Sequence, residues 1–161
     1  YLYGNRKVSL SRERFEGYQS ALMEAGIPFN PGLVRCGDFT PASGYMAMRE
    51  LLDFGEEFTA AVSANDQMAI GAIKAVKQTG KSVPEDIAFI GFDNLSVSTL
   101  IDPALSTIHV PTYQMGRLAA RIIGDLMQGI PCTARNILET SLIIRKSSDI
   151  SASNEWEMFG W

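Results

Sequence analysis

Four side chains combine hydrogen-bonding or stacking capacity with a place just beyond an apolar segment: Arg14, Phe39, Asn65 and Asp93. Asp93 closes the unbroken apolar run Ile87-Ala88-Phe89-Ile90-Gly91-Phe92. A carboxylate there is costly unless it meets a cation or several hydroxyls. Asn65 offers a donor and an acceptor and suits equally the N-cap of the helix that follows it. Arg14 reads as standing at a helix start, where its charge opposes the macrodipole and calls for an anion or polar ligand. A surface ion pair with Glu13 or Asp93 is the other reading of Arg14. Phe39 falls in a loop, as a flat platform for a sugar ring or base, or as a lid over core. One Arg, one Asn, one Asp and one aromatic suit a polyhydroxylated or heterocyclic small molecule.

No catalytic set accompanies them. The sequence has one histidine, His109, on an expected strand, and it carries no G-x-S-x-G, H-E-x-x-H or Walker pattern, so His109 reads as structural or surface-exposed. Gly4 is not followed by the second and third glycines of a dinucleotide-binding turn, which speaks against a nucleotide cofactor. Cys36 and Cys132 are far apart, with no Cys or His at metal-ligand spacing, so neither a disulfide framework nor a metal site is expected.

The elements that must position the four residues follow a repeating rhythm. Tyr1 to Tyr3 is a strand, and Phe15, Tyr18, Leu22 and Ala25 recur at helical spacing before Gly26 and Pro28. Leu33-Val34-Arg35-Cys36 is a short strand, after which Thr40 as N-cap and Pro41 at the first helical position open a helix with Tyr45, Met48, Leu51 and Leu52 on one face. Phe58-Thr59-Ala60-Ala61-Val62 leads into a helix through Met68, Ile70, Ala72, Ile73 and Val76 that ends at Gly80. Residues 87–92 read as a strand covered on both faces. The rhythm then breaks. Residues 105–110 form another strand, and Thr112 opens a helix with Met115, Leu118, Ala119, Ile122 and Leu126 inward. Residues 137–144 supply one or two final strands. The result is an α/β chain: an open, mostly parallel sheet flanked by helices, with ligands expected beyond the carboxyl ends of the strands.

With 161 residues, 46% hydrophobic and 20% charged, the sequence suits one soluble domain with a real core. The net charge of -4 and thinly spread Lys and Arg argue against this segment gripping a phosphate backbone. No apolar run approaches the roughly 18 to 20 residues of a membrane span. The sequence is expected to begin inside something larger, in a reducing cytoplasm.

The runs Val62-Ser63-Ala64-Asn65-Asp66-Gln67-Met68-Ala69-Ile70-Gly71, Val83-Pro84-Glu85-Asp86-Ile87, Ile90-Gly91-Phe92-Asp93-Asn94 and Pro103-Ala104-Leu105-Ser106-Thr107-Ile108 resemble the effector-domain signature of the lactose-repressor (LacI/GalR) regulators. The likeness runs from Tyr1 to about Ser148 and includes Arg14-x-x-Gly17-Tyr18 and Leu142-x-x-Arg145. It implies a periplasmic-binding-protein-like fold of type I. Residues 1–110 would be the C-terminal subdomain and 111–130 a crossover and helix of an otherwise missing N-terminal subdomain. Residues 131–148 would be the return crossover with the final strands, and 149–161 a tail, disordered or a native extension. The resemblance puts the effector-binding residues on Arg14, Phe39, Asn65 and Asp93. It also puts a homodimer interface on Ile70, Leu100 and Ile101, with ordinary core packing the other reading for Ile70. The implied function is sensing a sugar or purine-like metabolite, with no enzymatic step. Operator DNA would be reached only through a helix-turn-helix that this sequence lacks. A periplasmic sugar-binding protein of a transporter is the alternative.

Overall fold

A computed structural model describes residues 1–152. Four strands form one sheet in the order β3 (Ala60–Val62), β4 (Ala88–Asp93), β5 (Ser106–His109) and β6 (Ser141–Ile143). β3, β4 and β5 run parallel, and β6 pairs antiparallel with β5. β1 (Leu2–Tyr3) pairs parallel with β2 (Arg35–Cys36). A parallel bridge from Leu2 to Ser63 and a bond from Ala64 N to the Leu2 oxygen join this pair to β3. Across these contacts the strands lie in the order 2-1-3-4-5-6, parallel except at the β6 edge.

The helices α2 (Pro41–Phe54) and α3 (Asp66–Gln78) start as their sequences dictate. The Thr40 hydroxyl accepts from Ser43 N with Pro41 at N1, and the Asn65 side chain accepts from Met68 N. Each helix stops at a glycine in left-handed conformation, Gly55 at φ 83° and Gly80 at φ 80°, which a side chain would disfavour. The two helices lie against each other, and the contact depends on two missing side chains. A Cβ on Gly44 would run into the Met68 backbone, and one on Gly71 into the Pro41 carbonyl oxygen.

Met48, Leu51, Met68, Val76 and Phe89 bury themselves between these helices and the sheet, joined by Leu2. Tyr1 and Tyr3, which alternate with Leu2 along β1, turn the other way. They pack with Phe15 and Tyr18 of α1 (Ser9–Glu24) at ring separations of 4.8 to 5.3 Å. The sheet is thus sandwiched, but unequally. In β4 the residues Phe89 and Gly91 are buried while Ala88, Ile90 and Phe92 are only half-buried, so the expectation of a strand covered on both faces fails. An apolar run reports that a strand is central, not that both of its faces are filled within the same segment of chain.

Three other expectations change. α1 begins at Ser9, so Arg14 stands in its second turn and the macrodipole argument does not apply to it. After a single helical turn, α4 (Val97–Leu100), comes α5 (Thr112–Met127), in which no residue is buried. Leu118 and Ile122 are half-covered, whereas Met115 and Leu126, expected inward, are 49% and 58% exposed. The amphipathic pattern fixes which face of the helix is apolar, and only a surface to pack on can bury it. Of residues 137–144, only Ser141–Ile143 form a strand. Of the expected tail, residues 153–161 lie outside the described residues.

Candidate functional site

The parallel topology delivers Gly4, Asn65 and Asp93 to one edge, at the carboxyl ends of β1, β3 and β4. Arg14 reaches this edge from the inner face of α1. Its Nη1 donates to the Ala64 carbonyl oxygen, and its Nη2 donates to Asp93 Oδ1 at 3.3 Å. The guanidinium carbon also stands 3.6 Å from the centroid of the Phe92 ring. The pair is no surface ion pair: the Arg14 side chain is 13% exposed and that of Asp93 33%. Of the two carboxylates considered as ion-pair partners, Glu13 and Asp93, it is Asp93 that Arg14 meets.

Asn65 is 7% exposed and does two jobs at once. Its Oδ1 caps α3 through Met68 N at 3.0 Å, and its Nδ2 donates to the Phe39 carbonyl oxygen at 3.0 Å. The capping reading is therefore correct, and it also ties the end of β3 to the loop that carries Phe39. Phe39 sits at φ 71°, a region unfavourable to a side chain this bulky. Its ring lies over Gly4, where a Cβ would overlap it, and packs partly on the core. The ring is half-buried, so it covers core with one part of its surface and leaves another part open. Arg14 Nε, and Ser11 Oγ one turn earlier on α1, are buried with no hydrogen-bond partner among the described residues. Sequence inspection passed over Ser11, because a serine in a polar helical stretch carries no signal until its burial is known.

The electrostatics follow from desolvation. Burial holds the Asp93 carboxyl above its usual range; Arg14 opposes that, and the nearby Asp66 adds to it. Asp66, at the first position of α3, is fully buried and is the second residue that inspection missed. It accepts from Leu95 N (2.8 Å), Ser98 Oγ (2.8 Å) and Thr107 Oγ1 (2.5 Å), and burial pushes its carboxyl up despite these donors. An Asp in a first helical turn reads as a dipole partner facing water. Only the fold brings Leu95, the helical turn α4 (Val97–Leu100) and β5 against it.

Ile70, Leu100 and Ile101, the residues expected at a dimer contact, differ in exposure. Ile70 is half-buried in an apolar groove between α2 and α3 lined by Pro41, Ala42, Tyr45, Met46 and Lys74. Ile101 packs partly on the core, and Leu100 is 63% exposed. The His109 ring faces the turn after β4, its Nδ1 lying 3.2 Å from Asn94 Nδ2. Among the described residues no group of three or more His, Cys, Asp or Glu is placed to hold a metal, and no helix is long and apolar enough to cross a membrane.

Residues 1–148 match the periplasmic binding protein-like domain family. The chain is 40% identical over 136 residues to the HTH-type transcriptional regulator CelR of Thermobifida fusca, covering 84% of this chain and 40% of that protein. It is 39% identical over 146 residues to the HTH-type transcriptional repressor CytR of Escherichia coli K12, covering 90% and 43%. It thus spans less than half the length of these relatives. Among solved structures, a CelR–cellobiose complex superposes with a TM-score of 0.85 at 37% identity, over 91% of this chain and 45% of that one. The dimeric Lac repressor superposes with a TM-score of 0.87 at 31% identity, over 91% and 53%.

Proposed function

The chain belongs to the periplasmic binding protein-like domain family, in the form carried by LacI-family transcriptional regulators, and on that premise we propose that it forms one wall of an effector-sensing cleft. The observation that carries this reading is the convergence of Arg14, Phe39, Asn65 and Asp93 at one sheet edge, with Arg14 Nε unpaired behind them. The effector is a sugar or a purine-like metabolite. The Asp93 carboxylate and the Arg14 guanidinium meet its hydroxyls or ring heteroatoms, and Phe39 offers an apolar face. Cellobiose is the first candidate, because CelR, solved with that sugar, is among the relatives.

The opposite wall comes from an N-terminal subdomain that α5 and residues 111–130 join, which accounts for the uncovered apolar face of α5. Ile70, Leu100 and Ile101 contribute to a homodimer contact, and operator DNA is reached through an upstream helix-turn-helix in the cytoplasm. The effector acts by binding one arrangement of the two subdomains better than the other. No enzymatic step is part of this reading. The transporter alternative is set aside, since the relatives are transcriptional regulators.

The test is a thermal-shift screen of cellobiose, other sugars and purines on the protein carrying its upstream segment, with Asp93→Ala alongside. An effector at a hundred times its Kd stabilises by about 2.7 kcal/mol, a shift of several degrees. Asp93→Ala should abolish it. A ligand whose shift survives Asp93→Ala undiminished would overturn the assignment of the cleft.

A further inference from the structure

Asp93 and Asn94 both adopt left-handed backbone, at φ 110° and φ 53°. Two successive non-glycine residues in that region persist only where surrounding contacts over-determine them. Asp93 does not hold itself there, because among the described residues its side chain has one hydrogen-bond partner, Arg14 Nη2, at the long distance of 3.3 Å. The restraint comes from the next residue. Asn94 N donates to Thr107 Oγ1 at 3.2 Å. Its side-chain oxygen accepts from Arg145 Nη2 at 2.8 Å, and its side-chain nitrogen lies 3.2 Å from His109 Nδ1.

The chemistry of these groups leaves one orientation for the carboxamide. Arg145 can only donate, so Oδ1 must face it and the NH2 must face the imidazole, whose Nδ1 then accepts. Arg145 is itself fixed. It is 9% exposed, its Nη1 donates to the Leu105 carbonyl oxygen at 2.8 Å, and its backbone N donates to Ser106 Oγ at 2.7 Å. The guanidinium thus spans from the start of β5 to the turn after β4, a reach of two nitrogens in one plane that a lysine ammonium does not reproduce.

We propose that Asn94 and Arg145 are positioning residues for Asp93: Arg145 holds the Asn94 carboxamide against β5, and the carboxamide locks the turn that presents the Asp93 carboxylate to the cleft. The proposal rests on the reading of Asp93 as an effector-binding group for its purpose, but not for its test. Because Arg145 follows β6, which returns from residues 111–140, the clamp also places the effector carboxylate under the control of the chain segment that comes back from α5.

The test follows the Asp93 carboxyl itself, by carbon-13 titration in the 161-residue chain, with Asp149 as an internal reference. Asn94→Gly removes the clamp without changing charge and without adding strain, since glycine accepts φ 53°. Arg145→Lys keeps the charge and removes the fork. With the clamp gone, Asp93 turns toward water and loses the burial that holds its carboxyl high, so its midpoint falls in both variants. A merely structural role would lower stability and leave that midpoint in place. An unchanged midpoint in folded Asn94→Gly overturns the proposal. So does a shift confined to Arg145→Lys, because the effect would then bypass Asn94. Neither result bears on whether an effector binds, which the thermal-shift screen decides separately.

Discussion

Replacing Arg14 by Met keeps most of the apolar stem and removes the guanidinium. Three contacts disappear: the bond to the Ala64 carbonyl oxygen, the ion pair with Asp93 and the stacking over Phe92. A hydrogen bond from a charged donor contributes about 2 kcal/mol, and a partly buried cation over a ring about 1 kcal/mol. The ion pair, with Asp93 a third open to water, is discounted to about 0.5 kcal/mol. Against these stands relief from burying Nε without a partner, about 1.5 kcal/mol. The net loss is about 2 kcal/mol at neutral pH. Its pH dependence identifies the cause. Asp93 in the folded chain is already raised above its usual range. Such a group stabilises the fold below its unfolded pKa, near 4, and that contribution is lost as pH rises through the higher folded value. Without Arg14 the folded value climbs further, so Arg14→Met suffers most at pH 7.5 and recovers ground on wild type as the pH falls toward 4.5. Urea unfolding of both chains at the two pH values measures the gap. Arg14→Met combined with Asp93→Asn should be more stable than the sum of the single losses predicts. A gap that is constant with pH, together with additive losses, would refute the argument.

Two further outcomes follow from the packing. Gly71→Ala forces α3 away from the Pro41 carbonyl and should cost about 3 kcal/mol in urea unfolding; Gly17→Ala, in α1 with nothing within 4 Å of the added methyl, should gain about 0.5 kcal/mol. Equal effects at the two sites would remove the close crossing of α2 and α3 from the account. Limited trypsin digestion of the 161-residue chain should cut first at Arg117 or Arg121 on uncovered α5, and initial cleavage at Arg49 or Lys74 would show that α5 is the better protected.

The order of strands and helices was legible in the residues because each boundary has a local chemical cause. Thr40 and Asn65 cap, Pro41 opens a helix, and Gly55 and Gly80 stop one. That the candidate residues meet at one edge was legible as well, since parallel strands bring the residues that follow them together whatever those residues are. Hence Arg14, Phe39, Asn65 and Asp93 could be singled out together. The reason offered for Arg14 was wrong, because helix starts without a capping side chain, such as α1 after Val8, leave no mark in the sequence.

Tertiary structure alone decided what each polar group meets. The sequence determines that Asp66 is acidic and lies at a helix start, that Ser11 carries a hydroxyl, and that Asn94 and Arg145 are 51 residues apart. It does not say that Asp66 is fully buried under residues 95–98, that Ser11 has no partner among the described residues, or that Arg145 grips Asn94. α5 marks the same boundary from the other side: its apolar face is written in the sequence, but whether that face is covered depends on a surface that the helix cannot specify by itself. Periodicity and capping act over a few residues, whereas burial, desolvation and charge pairing arise between segments far apart in the chain and exist only once these are brought together.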